Sequence, residues 1–360
     1  MRPSDTFKLV TRNTAEVITK DRLKRLLEEA KPLKGYIGVE PSGLFHVGWM
    51  IWASKLKDLM DAGIEMTFLE ATWHAQINDK MVGSLENLRK CAKYLEHCLA
   101  SLNVDMDRLR TVQAEEFVSD PDYWALVLKV SKRLTLARIK RAITIMGRSE
   151  KEASTDFSKL IYPAMQVADI FYQDLDVCLG GMDQRRAHAL AIEVADKISE
   201  KKPVAIHTPL LAGLSGSGRM DASKKPDSLL DGKMSKSKPE TCLFIHDREK
   251  DVEKKILNAF CPPKQVPGNP VIEIIQHILF AEDGLTLRIE RPERFGGEIE
   301  IENLEELLKM YRAGDIHPLD LKRATAKALN KRLDPVRRYF EENDEAKRLY
   351  EEVKSLTVTR

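Results

Sequence analysis

Paired cysteines are missing from this sequence. Its five cysteines, Cys91, Cys98, Cys178, Cys242 and Cys261, form no CxxC pair and no regular framework, which argues against structural zinc and for a reducing compartment. An excess of one charge is missing as well: 58 Lys and Arg face 56 Asp and Glu, for a net charge of +2. Any surface for a polyanion must therefore be local. No apolar run approaches the roughly 18 residues of a membrane helix, and the N-terminal MRPSDTFKLVTRN has no apolar signal core. Internal repeats and low-complexity tracts are lacking too. These absences predict a cytoplasmic chain with no membrane role. The 360 residues, 43% hydrophobic and 32% charged, are too many for one ordinary core and suit two domains, or one large domain with an appendage.

Along the chain, apolar positions recur at helical spacing over residues 15–30, ahead of Lys31-Pro32. A short β-rich strand follows at Gly35–Val39, then loop chemistry at Glu40-Pro41-Ser42-Gly43 and a helical pattern from His46 to Met60. Strand patterns recur at 65–71, 175–179 and 204–211, with helices at 85–102 and 184–198 and a long basic helix over 123–147. This alternation predicts an α/β fold with a doubly wound parallel sheet. Gly, Ser, Lys and Asp dominate 214–240, which reads as an exposed, mobile segment. Beyond it the chain is mainly helical, apart from a strand-like 285–289 and the turn Phe295-Gly296-Gly297. The domain boundary is placed near 245, giving 1–245 and a mainly helical 246–360.

Three clusters carry chemistry. Pro41-Ser42-Gly43-Leu44-Phe45-His46-Val47-Gly48 joins the first strand to its helix. Small residues there let backbone approach a ligand, and a helix start attracts anions; a His and a Gly at a helix start are also ordinary. Lys233-Met234-Ser235-Lys236-Ser237 sets two ammonium groups among hydroxyls, able to meet a triphosphate or simply to face water. Tyr162, Gln166 and Asp169 fall at i, i+4 and i+7, so a helix puts all three on one face, toward either a ligand or solvent.

Taken together, these clusters resemble the class I aminoacyl-tRNA synthetases, whose hallmark motifs are written HIGH and KMSKS. His46-Val47-Gly48-Trp49 looks like the first, with Trp49 in place of the second His; residues 233–237 match the second in every letter. The run Tyr162–Asp169 is closely similar to the tyrosine-binding helix of the tyrosyl-tRNA synthetases of archaeal and eukaryotic type. The resemblance implies a Rossmann-type catalytic domain and contacts to L-tyrosine by Tyr36, Tyr162, Gln166, Asp169 and Gln184, Tyr36 and Asp169 meeting the phenolic hydroxyl. It implies ATP contacts by Pro41, Ser42, Gly43, His46, Gly48, Lys233, Met234, Ser235, Lys236 and Ser237. His46, Lys233 and Lys236 would act in catalysis, with Mg²⁺ carried on the phosphates and no metal site built by the protein. Trp49 is assigned no phosphate contact.

The same resemblance implies tRNA-Tyr as partner, with Arg141, Arg185 and Arg186 at its acceptor stem and Phe295, His317 and Asp320 at its anticodon. It also implies a homodimer formed largely through 110–150. Two competing readings are tryptophanyl-tRNA synthetase, which has no use for the Tyr36 and Asp169 pair because indole offers a donor and no acceptor, and a homologue that binds tRNA without catalysis.

Overall fold

The computed structural model describes residues 2–29, 31–147, 156–216, 232–281 and 284–356. The chain divides into two compact units, one of Met1–Gly43, Trp52–Pro209 and Arg348–Arg360, the other of Leu44–Ile51 and Leu210–Lys347. The expected exposed segment at 214–240 falls in large part on 217–231, outside the described residues.

The first unit is built on a six-stranded sheet in the order β1-β6-β5-β2-β3-β4. Its strands are β1 (Glu16–Ile18), β2 (Lys34–Val39), β3 (Glu65–Glu70), β4 (Arg110–Gln113), β5 (Val177–Gly181) and β6 (Val204–Thr208). All but β1 run parallel. Helices cover them, so β3 and β6 are buried along almost their whole lengths, as expected of strands covered on both faces. From β2 the chain winds outward to β3 and β4, then returns to add β5 on the other side of β2. In doubly wound sheets ligands bind at such a reversal, in the crevice beyond the carboxyl ends of the flanking strands, here β2 and β5. The expected doubly wound α/β arrangement is the one adopted.

Two expectations give way. The helix anticipated over 15–30 begins only at Lys20: Glu16–Ile18 pairs antiparallel with β6, the β-branched Val17 and Ile18 suiting the edge, and the Thr19 side chain caps the helix by accepting from Arg22 N. The long helix over 123–147 is broken into Pro121–Ser131, Leu136–Ala142 and a tight turn at Ile143–Met146. Thr135 causes the break, its hydroxyl capping the second helix at Arg138 N.

The second unit is mainly helical. Its helix Glu249–Leu257 packs on the long Pro318–Glu342 through buried Val252, Ile256, Leu321, Leu329 and Leu333. A hairpin of β7 (Leu287–Ile289) and β8 (Ile299–Ile301) lies between these helices in the chain.

A buried ion cluster ties the N-terminal helix Pro3–Thr11 to the first unit. Lys55, 2% exposed, donates to Leu9 O, Val10 O and Asp58 Oδ2, and Arg12 clasps Asp58 with two bonds of 3.1 and 2.6 Å. Asp58→Ala strands a buried ammonium, and its expected cost is about 3–5 kcal/mol in denaturant unfolding; a loss under about 1 kcal/mol would show the cluster to be dispensable.

Candidate active site

The crevice is lined from β2, β5 and the helix Ser158–Tyr172. That helix presents Tyr162 and Asp169 buried, with Gln166 half-buried between them. Tyr36, in the middle of β2 and opposite Cys178 of β5, is buried beside them. Burial, with Cys178 and Asp169 nearby, lifts its pKa well above the usual phenol value. Gln166 Nε2 donates to Gln184 Oε1 at 3.1 Å, and Gln184 Nε2 to Ile145 O at 3.2 Å. All five residues expected to contact tyrosine therefore lie in one cluster. Within it, Gln166 Oε1 is a buried acceptor with no partner.

Four further residues, unmarked by any spacing in the sequence, complete the cluster. Tyr123 Oη donates to Asp169 Oδ1 at 2.7 Å, and His74 Nε2 stands 3.1 Å from Asp169 Oδ2, close enough to pair by charge but out of line for a full hydrogen bond. Glu40, the first residue after β2, accepts from Tyr162 Oη at 2.7 Å and from Asn78 Nδ2 at 3.0 Å. Asn78 also donates to Met146 O at 3.0 Å, joining the crevice to the turn Ile143–Met146. Glu40 and Asp169 give this cluster two carboxylates, each held by donors from different helices. Only Glu40 had a foreshadowing in the sequence, as part of the loop opening the first motif.

In the second unit, His46 precedes the tight turn Val47–Trp49 and is held by a backbone bridge to Phe244, with Val47 N donating to Leu243 O at 2.8 Å. A Cβ on Gly48 would come within 3.0 Å of the His46 ring, so only glycine leaves the imidazole its place. Burial, then Lys236 and Lys233, hold His46 well below its usual pKa, and its buried Nδ1 has no partner. Met234 is buried and its N–H donates to Leu211 O at 2.7 Å, fixing the segment that carries Lys233 and Lys236. The two motifs thus meet, as their shared chemistry requires. Pro41, Ser42 and Gly43 belong to the first unit, where Gly43 N–H donates to Cys91 Sγ at 3.2 Å.

Arg141, Arg185 and Arg186 line one pocket of about 250 Å³ together with Arg138, which the sequence had not singled out. Arg185 is paired with Glu16 at 2.8 Å, Arg186 donates to Arg141 O and Thr144 Oγ1, and Arg138 pairs with Glu193. Phe295 ends a tight turn, Glu293–Phe295, before Gly296 and Gly297, both at positive φ. Arg291 ties that turn to the start of the long helix, donating to Gly297 O at 2.9 Å and Asp315 O at 2.7 Å. There His317 caps the helix, its Nδ1 accepting from Leu319 N at 3.2 Å, and Asp320 lies in the first turn.

The family model for class I tRNA synthetases (W and Y) matches residues 28–231 and 227–334. The chain is 54% identical to the tyrosine–tRNA ligase of Sulfurisphaera tokodaii over 98% of its own length and 97% of that protein. It superposes on the crystal structure of tyrosyl-tRNA synthetase from Aeropyrum pernix with a TM-score of 0.88 at 46% identity, covering 98% of this chain and 99% of that one. On the Pyrococcus horikoshii enzyme complexed with L-tyrosine the TM-score is 0.89 at 40% identity, with coverage of 98% and 100%. The chain belongs to the class I tRNA synthetases of the tryptophan and tyrosine group. Within that group its place is among the tyrosyl-tRNA synthetases of archaeal type.

His74 reports on the crevice. Burial draws its pKa down, but the Asp169 charge, with Glu40 beyond it, outweighs burial and raises it above 6.5. A raised folded-state value means that the stabilisation is complete below the unfolded value and is lost as pH rises through the folded one. Asp169→Asn removes the larger raising charge and leaves burial opposed by Glu40 alone, so the His74 pKa should fall in an NMR titration of the ring protons; an unchanged value would dissolve the pairing.

Proposed function

We propose that the chain activates L-tyrosine with ATP, forming tyrosyl-adenylate and pyrophosphate, and then transfers tyrosine to the 3′ end of tRNA-Tyr. The observation that carries the choice of amino acid is the burial of Tyr36 and Asp169 near each other. Two polar groups out of water call for a partner in the ligand, and a phenolic hydroxyl can accept from one and donate to the other. Asp169 keeps acceptor capacity beside the Tyr123 bond, since an ionised carboxylate has about four lone-pair sites. Phenylalanine leaves these groups unmatched at about 1–3 kcal/mol each. At the other end, Tyr162, Gln166 and Gln184 suit the α-amino group, and the unpartnered Gln166 Oε1 awaits such a donor.

In the first step a tyrosine carboxylate oxygen bonds to the α-phosphorus as the bridging oxygen leaves with pyrophosphate. In the second, the terminal ribose hydroxyl attacks the adenylate carbonyl and AMP departs. Neither step needs a protein nucleophile, so positioning and charge do the work. Lys233 and Lys236 offer charge to the phosphates, and His46, kept neutral, offers a hydrogen bond through its free Nδ1. Pro41, Ser42, Gly43 and Gly48 supply close backbone approach, and Ser235 and Ser237 supply hydroxyls. Mg²⁺ would travel on the triphosphate and would neutralise its oxygens.

For tRNA-Tyr, the arginine pocket suits the acceptor stem, where guanidinium groups hold phosphate and base edges. Phe295 would stack on an anticodon base, with Asp320 accepting from its edge and His317 beside it. Exposed Trp124, Leu128 and Leu136, the last two 70% and 57% exposed, support a homodimer interface within 110–150. The catalytic domain would span 1–245 and the anticodon-binding domain 246–360. Five free cysteines, with no described helix long and apolar enough to cross a membrane, favour the cytoplasm.

Pyrophosphate exchange into ATP should depend on tyrosine, with tryptophan silent; exchange driven by tryptophan would reassign the substrate. Tyr36→Phe should raise the KM for tyrosine about 10-fold and narrow the preference over phenylalanine, at unchanged KM for ATP. Asp320→Ala should slow tRNA charging about 10-fold and leave exchange as it was; slowed exchange would place Asp320 elsewhere in the mechanism.

A further inference from the structure

Trp49 stands where the family's first motif carries its second histidine, and it takes no part in the two steps above. Its surroundings give it a task. The Lys236 ammonium lies 3.6 Å from the centroid of the Trp49 ring, well inside the roughly 6 Å at which a cation is drawn to an aromatic face. The ring is firmly mounted. Buried Phe45 meets it edge-on at 5.3 Å, and the His46 ring lies 5.1 Å away. The backbone beneath is pinned through Val47 N to Leu243 O and Ile245 N to Phe45 O, at 2.8 and 3.2 Å. Lys236, by contrast, sits in a turn closed by Lys238 N donating to Ser235 O at 3.1 Å, on a side chain with four rotatable carbons.

We propose that Trp49 is a positioning residue that docks the Lys236 ammonium on its indole face, in line for the triphosphate. The inference rests on the reading of Lys236 as a phosphate-meeting group. An aromatic face suits this task because it attracts a cation without neutralising it. A carboxylate here would compete with the phosphates, and a protonated histidine would repel the lysine. The indole restricts the lysine's rotamers and yields it to the stronger charge of the phosphate oxygens. Trp also has the strongest face of the aromatic side chains.

The test is a double-mutant cycle in steady-state pyrophosphate exchange at saturating tyrosine and ATP. Trp49→Leu should lower kcat by about 2- to 30-fold in the native background, and Trp49→Phe, which keeps a weaker face and guards against a misfolded Leu variant, by less. In a Lys236→Ala background both changes should cost less than about 2-fold, because the partner is gone. Equal losses in the two backgrounds would overturn the dock and reduce Trp49 to packing. Should Lys236→Ala itself exchange at the native rate, the role of Lys236 fails, and the dock with it.

Discussion

A charged carboxylate out of water has to be held on all sides, and Asp169 sets that condition for the crevice. It is 2% exposed, near the end of a largely apolar helix. An isolated buried carboxylate would cost several kcal/mol, so the neighbouring elements are arranged to answer it. Tyr123 comes from the helix Pro121–Ser131 and His74 from the helix Thr72–Ile77, while Tyr36 of the central strand β2 lies close by. All three side chains are buried, so three separate stretches of chain meet around the carboxylate. On the proposed reading, selectivity for a phenol would follow from that arrangement, which leaves little freedom for a substrate that cannot join the network.

The second carboxylate, Glu40, repeats the principle at the other end. It gathers Tyr162 and Asn78, and through Asn78 the turn Ile143–Met146, to which Gln184 also bonds. Two fixed negative groups with hydrogen-bond chains between them suit a ligand that is itself polar at both ends and apolar between. The motifs proposed to face ATP follow opposite logic: a buried imidazole, held neutral by burial and by two half-buried lysines, gathers positive rather than negative charge.

Much of this was legible in the residues alone. Alternating β-rich and helical stretches announced the doubly wound sheet, because strand and helix differ in period and a parallel sheet requires the alternation. Tyr162, Gln166 and Asp169 could be placed on one face since their spacing is set by helix geometry. Local patterns failed where a tertiary partner or a cap decided: Glu16–Ile18 carries helical spacing yet pairs with β6, and Thr135 interrupts a run that hydrophobicity alone makes continuous.

From the sequence by itself came the identities and spacings of the groups that do chemistry, because motif order and helical repeat are properties of the chain as written. Only the tertiary structure decided which groups surround them. His74, Tyr123 and Asn78 are distant in sequence from Asp169 and Glu40, and nothing in their local context distinguishes them from core residues. Their roles arise from burial and distance, as does the meeting of Trp49 with Lys236, residues 187 positions apart by their numbers (236 − 49).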